Sequence, residues 1–192
     1  MEDAERMLLA LYAQASPAVR RRGRSWYPET NRRLREVAVR TGSTPAQATA
    51  VFSIVSPAVQ LVTALNWTEE ILRGERVGGR YPNMQGPRIE AALASRYPVK
   101  MITGPKVNAF YRAIMGDTSA LVLDRWAAFA AGHDRGRDIP RAVWRQLDAA
   151  YRAAAALCGE TVRAFQAIIW IVTRETTRRR DGRLPNYTDV TK

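Results

Sequence analysis

Cysteine and histidine are nearly absent from this sequence. Its 192 residues contain one cysteine, Cys158, and one histidine, His133. A single thiol excludes an internal disulfide and any site built from several cysteines, such as an iron–sulfur cluster or a structural zinc site. We therefore expect no metal centre built from His and Cys and no cofactor, while a magnesium ion bound by carboxylates stays open. Cys158 is expected to be a small buried apolar residue and His133 a solvated loop residue.

Long apolar runs are also missing. The longest strongly apolar stretch, residues 167–172, is far shorter than the roughly 20 residues that cross a bilayer. Residues 1–5 are largely acidic, whereas an export signal begins with basic residues and continues with apolar ones. These two features predict a cytoplasmic protein that has no membrane partner.

Acidic residues are scarce relative to basic ones. The chain has 18 Asp and Glu against 30 Lys and Arg, which gives a net charge of +12 and an isoelectric point near 10.8. Such an excess favours a polyanionic partner, either nucleic acid or an anionic membrane. The basic residues are dispersed over loops and several predicted helices, and none of those helices joins a basic face to a broad apolar one. Nucleic acid is therefore the favoured partner.

Apolar residues recur at helical spacing along almost the whole chain. This spacing predicts an all-α protein: a single domain of about eight helices over residues 1–181, followed by a polar tail at 182–192. The clearest helix start is Thr-Pro-Ala-Gln at residues 44–47, which combines a capping threonine, a proline at the first helical position and a glutamine at the third. Residues 16–26 are predicted to form a basic loop, with the next helix beginning at Pro28.

One turn carries residues suited to chemistry. Residues 102–110 read Ile-Thr-Gly-Pro-Lys-Val-Asn-Ala-Phe, which predicts a tight turn leading into a helix. Backbone N–H groups at the start of a helix can hold a phosphate, and a glycine lets the backbone approach it. Asp124 lies 18 residues after Lys106, behind the apolar stretch 120–123, at a place where it could cap a further helix.

These features resemble the helix-hairpin-helix DNA glycosylase superfamily, above all its endonuclease III-like branch. In that family a hairpin ending in Gly-x-Lys leads into a helix, and an apolar stretch then delivers an aspartate at the same separation. The resemblance covers residues 46–132. It implies that Lys106 matches the nucleophilic lysine of the family and Asp124 its catalytic aspartate.

The sequence departs from that family in three respects, one of which is Ala58, near the position of a glutamine that fills the gap left by the flipped base. Ile102 stands where the first hairpin glycine belongs, and the cysteines that bind an iron–sulfur cluster in many endonuclease III-like proteins are missing. These departures resemble the compact, divergent glycosylase-fold proteins that are associated with hypermodified phage DNA. The resemblance implies a protein that works in the cytoplasm of a bacterial cell or a phage-infected host.

The implied activity is removal of a base from double-stranded DNA. A DNA glycosylase flips out a modified or damaged base, here for example a hypermodified pyrimidine of phage DNA, and cleaves its N-glycosidic bond. Asp124 would stabilise the positive charge that develops on the sugar. Attack by water leaves an abasic site, whereas attack by Lys106 as a free amine forms a Schiff base and allows lyase cleavage. We expect such an enzyme to be a monomer.

Further residues are expected to contact the DNA or to line the pocket for the base. The residues expected to contact DNA are Lys100, Thr103, Gly104, Arg112 and Arg125. Those expected to line the base pocket are Asn66, Trp67, Tyr111 and Trp126, whose aromatic rings offer stacking surfaces.

Other interpretations of the same residues stay open. A base-hypermodifying transferase on the same fold and a non-catalytic DNA-binding module are the two alternative functions. Asp124 is also explained as an ordinary helix cap, and Lys106 as a surface residue of a first helical turn. Trp170 is expected in the core, and the sequence gives Gln166 and Arg174 no role.

Overall fold

The protein is helical throughout the part that the structure describes. The computed structural model describes residues 2–57, 59–75, 77, 84–134 and 140–181, with only the backbone for 178–181. These residues contain no strand, which confirms the predicted all-α class. They form nine α-helices, against about eight expected, and one 3₁₀ helix, Pro98–Met101. The α-helices are α1 (Glu2–Gln14), α2 (Pro17–Thr41), α3 (Pro45–Val55), α4 (Leu61–Leu72), α5 (Gly86–Ala94), α6 (Pro105–Ile114), α7 (Arg125–Ala130), α8 (Arg141–Leu157) and α9 (Val162–Asp181).

The chain divides into two compact units. The first unit comprises the residues up to Tyr27 together with those from Asp117 to the end of α9, and the second unit comprises Pro28–Gly116. Helix α2 contributes its first part to the first unit and the remainder to the second. The single-domain boundaries of 1–181 stay a prediction, and the predicted tail at 182–192 lies outside the described residues.

The first unit is built around helix α9. Helices α1, α7 and α8 all contact it, and Phe165 of α9 is fully buried. The Phe165 ring stacks on Tyr12 of α1 at 5.5 Å between centroids and meets Tyr151 of α8 edge-on at 6.1 Å. Full burial of a side chain of this size stabilises a fold by about 2–3 kcal/mol, so these aromatic contacts tie the three helices together.

The predicted basic loop at residues 16–26 is wrong, because these residues form the start of α2. Ser16 precedes the helix: its hydroxyl accepts a bond from the N–H of Val19 at 3.3 Å, and its carbonyl accepts one from the N–H of Arg20 at 2.9 Å. Pro17 occupies the first helical position, where no N–H donor is needed. The arginines that suggested a loop are good helix formers, so their charge does not interrupt the helix.

Gly23 allows α2 to approach α9 within the first unit. A Cβ atom added at this buried glycine would lie 2.3 Å from Cγ1 of Ile168 and 2.8 Å from its backbone N. Further along, Pro28 lies inside α2 and not at a helix start as predicted. Proline lacks the N–H that would otherwise donate to the carbonyl of Arg24, so one bond of the helix is missing there.

The second unit is built around helix α3. Every residue from Ala48 to Val55 is buried, and α3 contacts α4, α5, α6 and the 3₁₀ helix. Phe52 of α3 stacks on Phe110 of α6 at 5.9 Å between ring centroids. A helix that is buried on all sides must be surrounded by others, and α3 meets this requirement.

The predicted start of α3 is confirmed. The Thr44 hydroxyl accepts a hydrogen bond from the N–H of Gln47 at 3.1 Å, and Oε1 of Gln47 accepts one from the N–H of Thr44 at 3.0 Å. The amide of Gln47 also donates to the carbonyl of Leu93 at the end of α5, at 2.9 Å. This capping box therefore fixes both the helix start and a contact with a neighbouring helix.

Within the described ranges, no single helix is long and apolar enough to cross a bilayer. Arg141–Leu157 and Val162–Thr177 reach the required length and composition only when taken together, and they are bent by 99° at the break between them.

Candidate functional site

Asp124 is the N-terminal cap of helix α7. Residues 120–122 are buried without forming a helix, and they lead the chain to this point. The backbone of Asp124 is extended, and its Oδ1 accepts hydrogen bonds from the N–H groups of Trp126 and Ala127, each at 2.9 Å. Because both bonds end on one oxygen, the half-buried carboxylate has a defined orientation. The predicted cap is confirmed.

Burial and the negative charge of Asp124 raise the pKa of two buried tyrosines of the first unit. Tyr27 donates from its hydroxyl to Oε1 of Gln166 at 2.9 Å, and Tyr151 donates to the carbonyl of Ala127 at 3.1 Å. Burial raises the pKa of both hydroxyls, and the negative charge of Asp124 raises it further. The surroundings of Asp124 therefore include two phenols that stay neutral through the ordinary pH range.

An arginine lies against two indoles in the same unit. The guanidinium carbon of Arg174 lies 4.8 Å from the ring centroid of Trp126 and 5.2 Å from that of Trp170. Trp170 also contacts the ring of Trp26, at 6.1 Å between centroids, and it is half-buried, so it is not the fully buried core residue expected. Because Trp126 follows Asp124 by two positions, these cation–π contacts place a positive charge near the start of α7.

The predicted nucleophile belongs to the second unit. Lys106 is the second residue of α6 and is exposed, and Gly104 before it has φ +93°, a conformation that favours glycine. Thr103, Lys100 and Arg112 are exposed in this unit as well. Asp124 belongs to the first unit, as does Arg125, the exposed first residue of α7. Both assignments to catalysis stay predictions.

The four residues predicted for the base pocket have different surroundings. Asn66 is exposed on α4, and Trp67 beside it is half-buried. Tyr111 of α6 is buried, and burial raises the pKa of its hydroxyl, so it belongs to the core of the second unit. Trp126, in the first unit, is half-buried against Arg174. Of these four residues, only Trp126 lies close to Asp124 in sequence, in the helix that Asp124 caps.

Comparison with protein families identifies the chain. Residues 1–177 match a family of unknown function, DUF7178. The chain belongs to the DUF7178 family. No curated protein and no solved structure matches it. The matched residues include Asp124, Lys106 and Arg174, so the features described above lie within the part that defines the family.

Sequence reasoning missed the roles of Gln166 and Arg174 in this DUF7178 protein. Gln166 is a buried amide inside an apolar stretch of α9, and Arg174 stands two turns further along the same helix. A polar residue inside an apolar stretch signals a buried hydrogen bond, so Gln166 could have been singled out. Its partner, Tyr27, is 139 residues away and carries no local signal.

The DUF7178 protein also has a groove of about 330 Å³ in the second unit. Helices α2 and α4 line it with Arg32, Arg33, Glu36, Val37, Arg40, Val62, Leu65, Asn66 and Glu69. Arg40 pairs with Glu69 at 2.6 Å, and Arg32 pairs with Glu29 at the same distance. Hydrogen bonds from the arginines lower the pKa of both glutamates. Carboxylates therefore compensate much of the positive charge of this groove.

In the described parts of the chain, no three His, Cys, Asp or Glu side chains gather where they could hold an ion. Cys158 is half-buried, where burial raises the pKa of its thiol. His133 follows α7 in a non-helical segment and is half-buried rather than freely solvated as expected.

Proposed function

We propose that this DUF7178 protein is a DNA glycosylase that excises a modified or damaged base. The observation that carries the proposal is the geometry of Asp124. Its carboxylate is oriented by two backbone N–H groups at the start of α7, behind a buried segment, and its charge adds to the effect of burial in raising the pKa of two buried tyrosines. This arrangement supplies a fixed negative charge in a partly apolar setting.

A fixed carboxylate suits cleavage of an N-glycosidic bond. The bond between base and sugar breaks as the sugar gains positive charge, and a preorganised negative charge beside it lowers the barrier. The half-burial of Asp124 strengthens the interaction, because charges attract more strongly where water is excluded. In the proposed reaction the carboxylate stabilises the sugar cation and orients the attacking group.

The exposure of Lys106 favours water as the attacking group. A lysine that forms a Schiff base must present a neutral amine, which desolvated surroundings promote, and Lys106 lies at the surface. The product expected is an abasic site rather than a lyase nick. Lys106 then serves as one of the cations that hold phosphate at the turn before α6.

Charge supports DNA as the partner. The net charge of +12 favours a polyanion, and binding through phosphates depends strongly on salt. The target base must leave the duplex before its sugar can be reached, so the enzyme must open the helix locally. Trp126 is the aromatic residue nearest to Asp124 along the chain and is the proposed surface for the extruded base.

The experiment uses a panel of unmodified, uracil-containing, oxidised, alkylated and hypermodified phage DNAs. Products are run with and without alkali, because alkali breaks the strand at abasic sites. Wild-type protein is expected to give alkali-dependent breaks on one substrate class, and Asp124→Asn to abolish them. Asp117→Asn is the matched control, since Asp117 also accepts a backbone N–H bond, from Ser119 at 2.8 Å in the same unit. Equal loss in both variants would contradict the assignment.

A non-catalytic DNA-binding module is the second candidate. The observation that favours it is that the two bonds of Asp124 are those of any aspartate at a helix N-terminus, where they stabilise the helix without chemistry. If the protein is such a module, it binds DNA and leaves every DNA of the panel chemically unchanged. Modification of a base in place, with no abasic product, would instead identify a transferase.

A further inference from the structure

Tyr97 is an exposed aromatic residue accompanied by two cations in the second unit. It is 54% exposed. Nζ of Lys100 lies 5.0 Å from its ring centroid, and the guanidinium carbon of Arg96 lies 5.8 Å from it. Both cations are themselves exposed. An accessible aromatic face with cations at its side is the combination that binds unpaired nucleic-acid bases, because the ring stacks on the base while the cations neutralise phosphates.

The backbone that carries Tyr97 is anchored. Its N–H donates to the Ser95 hydroxyl at 3.0 Å, and its carbonyl accepts a bond from the N–H of Lys100 at 3.0 Å. The 3₁₀ helix that follows begins with the buried Pro98 and contacts α3 and α5. A ring presented by a fixed turn loses little conformational freedom when it binds, which favours affinity.

The surrounding sequence is entirely without acidic residues. Between Glu90 and Asp117 there is no aspartate or glutamate, whereas four basic residues occur: Arg96, Lys100, Lys106 and Arg112. The groove between α2 and α4 differs in this respect, because its arginines pair with glutamates. The segment that carries Tyr97 therefore contributes positive charge and no carboxylate of its own, which favours an anionic partner for Arg96 and Lys100.

We propose that Tyr97, Arg96 and Lys100 bind a single-stranded segment of DNA. An unpaired base stacks on the Tyr97 ring, and the two cations bind the phosphates on either side of it. Bases inside a duplex cannot stack on this ring because their faces are covered by neighbouring bases, so the partner is a strand end, a gap or an opened site. This binding goes beyond the proposed excision, since it requires neither Asp124 nor a modified base.

The test measures binding of the full chain to a labelled oligothymidylate and to a strand of the same length that is abasic at every position. The second strand keeps the phosphates and lacks the bases. Tyr97→Ala is expected to weaken binding to the oligothymidylate at least about five-fold, and Tyr97→Phe to retain it, because phenylalanine keeps the stacking face. Binding to the abasic strand should be the same for wild type and Tyr97→Ala.

Cation variants test the phosphate contacts. Arg96→Gln and Lys100→Gln are expected to weaken binding to both strands and to reduce its salt dependence. Arg88→Gln, which removes an exposed arginine from α5, is the matched control and should have the smaller effect. Circular dichroism spectra identical to wild type would confirm that the variants are folded.

Four outcomes would overturn the proposal. The first three are wild-type affinity of Tyr97→Ala for the oligothymidylate, an equal loss on both strands, and an Arg88→Gln effect as large as that of Arg96→Gln. The fourth comes from a parallel measurement on phosphatidylserine vesicles: an effect of Tyr97→Ala on binding to the vesicles and none on binding to the oligothymidylate. The last result would assign the patch to a membrane surface. Asp124→Asn is expected to bind the oligothymidylate like wild type, so failure of the excision proposal is distinguished from failure of this one.

Discussion

The hydroxyl of Tyr27 donates a 2.9 Å hydrogen bond to Oε1 of Gln166, and both side chains are buried. This bond joins the first part of α2 to α9 within the first unit. If the donor is removed, the buried carbonyl oxygen still carries its desolvation penalty but no longer has a hydrogen bond to offset it. Loss of this bond therefore destabilises the fold more than loss of a surface hydrogen bond. It also lies in the surroundings of Asp124, whose charge acts on Tyr27.

Removal of the Tyr27 hydroxyl is therefore expected to destabilise the protein. Tyr27→Phe should lower the free energy of unfolding by about 1–3 kcal/mol, because Oε1 of Gln166 is left without this donor. Urea unfolding followed by circular dichroism measures the change. Tyr97→Phe removes a hydroxyl from an exposed ring and serves as the control. If both variants unfold at the same urea concentration as wild type, the bond does not stabilise the fold.

Alkaline conditions are expected to unfold the protein. Burial raises the pKa of Tyr27 and Tyr151 in the folded state, whereas an unfolded tyrosine titrates at about pH 10. Above that pH the unfolded chain releases protons that the folded chain retains, so unfolding becomes easier. Stability should be complete below about pH 10 and fall above it, by up to about 1.4 kcal/mol per pH unit for each tyrosine.

The Tyr27→Phe variant identifies the source of that pH dependence. Urea unfolding at a series of alkaline pH values should give a shallower decline than in wild type, since one titrating group has been removed. An identical slope would show that Tyr27 does not contribute.

Gly23 is expected to tolerate no side chain. A Cβ atom would lie 2.3 Å from Cγ1 of Ile168 and 2.9 Å from its Cα, so α2 and α9 would have to separate. Gly23→Ala should cost about 1–3 kcal/mol of stability, measured by thermal unfolding. Gly86→Ala is the control, since nothing lies within 4 Å of its Cβ position, and alanine there should be neutral or stabilising. A Gly23→Ala protein as stable as Gly86→Ala would refute the close approach.

Two substitutions of Asp124 distinguish its role as the cap of α7 from its proposed role in catalysis. Asp124→Ala should lower the free energy of unfolding by about 1 kcal/mol, because two N–H groups at the helix start lose their acceptor. Asp124→Asn should retain most of that stability, since asparagine is an equally good cap. Thermal unfolding of both variants checks this order. If Asp124→Asn is as destabilising as Asp124→Ala, the negative charge of Asp124, and not its hydrogen bonds to the two N–H groups, stabilises the start of α7.

The helical class and the starts of α3 and α7 could be predicted because they depend on local signals. The capping box at Thr44 and Gln47 works through residues three positions apart, and it was found. The equivalent start at Ser16 and Pro17 was missed, because the arginines that follow were interpreted as a loop. The two starts share a hydroxyl residue followed by proline, so the signal was present in both.

The surroundings of Asp124 could not be predicted to the same extent. Its role as a cap follows from its place between an apolar segment and a helix, which is local. The contacts of Gln166 with Tyr27 and of Arg174 with Trp126 join residues far apart in sequence, and periodicity does not encode such pairs. The resemblance to glycosylases selected Lys106 and Asp124 by the turn, the apolar stretch and the 18-residue separation, all of which are features of the sequence, and the two residues belong to different units.

The most direct test of the central claim is the detection of released base. Purified protein is incubated with the DNA panel, and the soluble fraction is analysed for free bases by chromatography and mass spectrometry. One class of free modified or damaged base is expected, with an equal number of abasic sites in the DNA, and neither is expected with Asp124→Asn. DNA that is bound yet loses no base, or a base altered while still attached to its sugar, would contradict the claim.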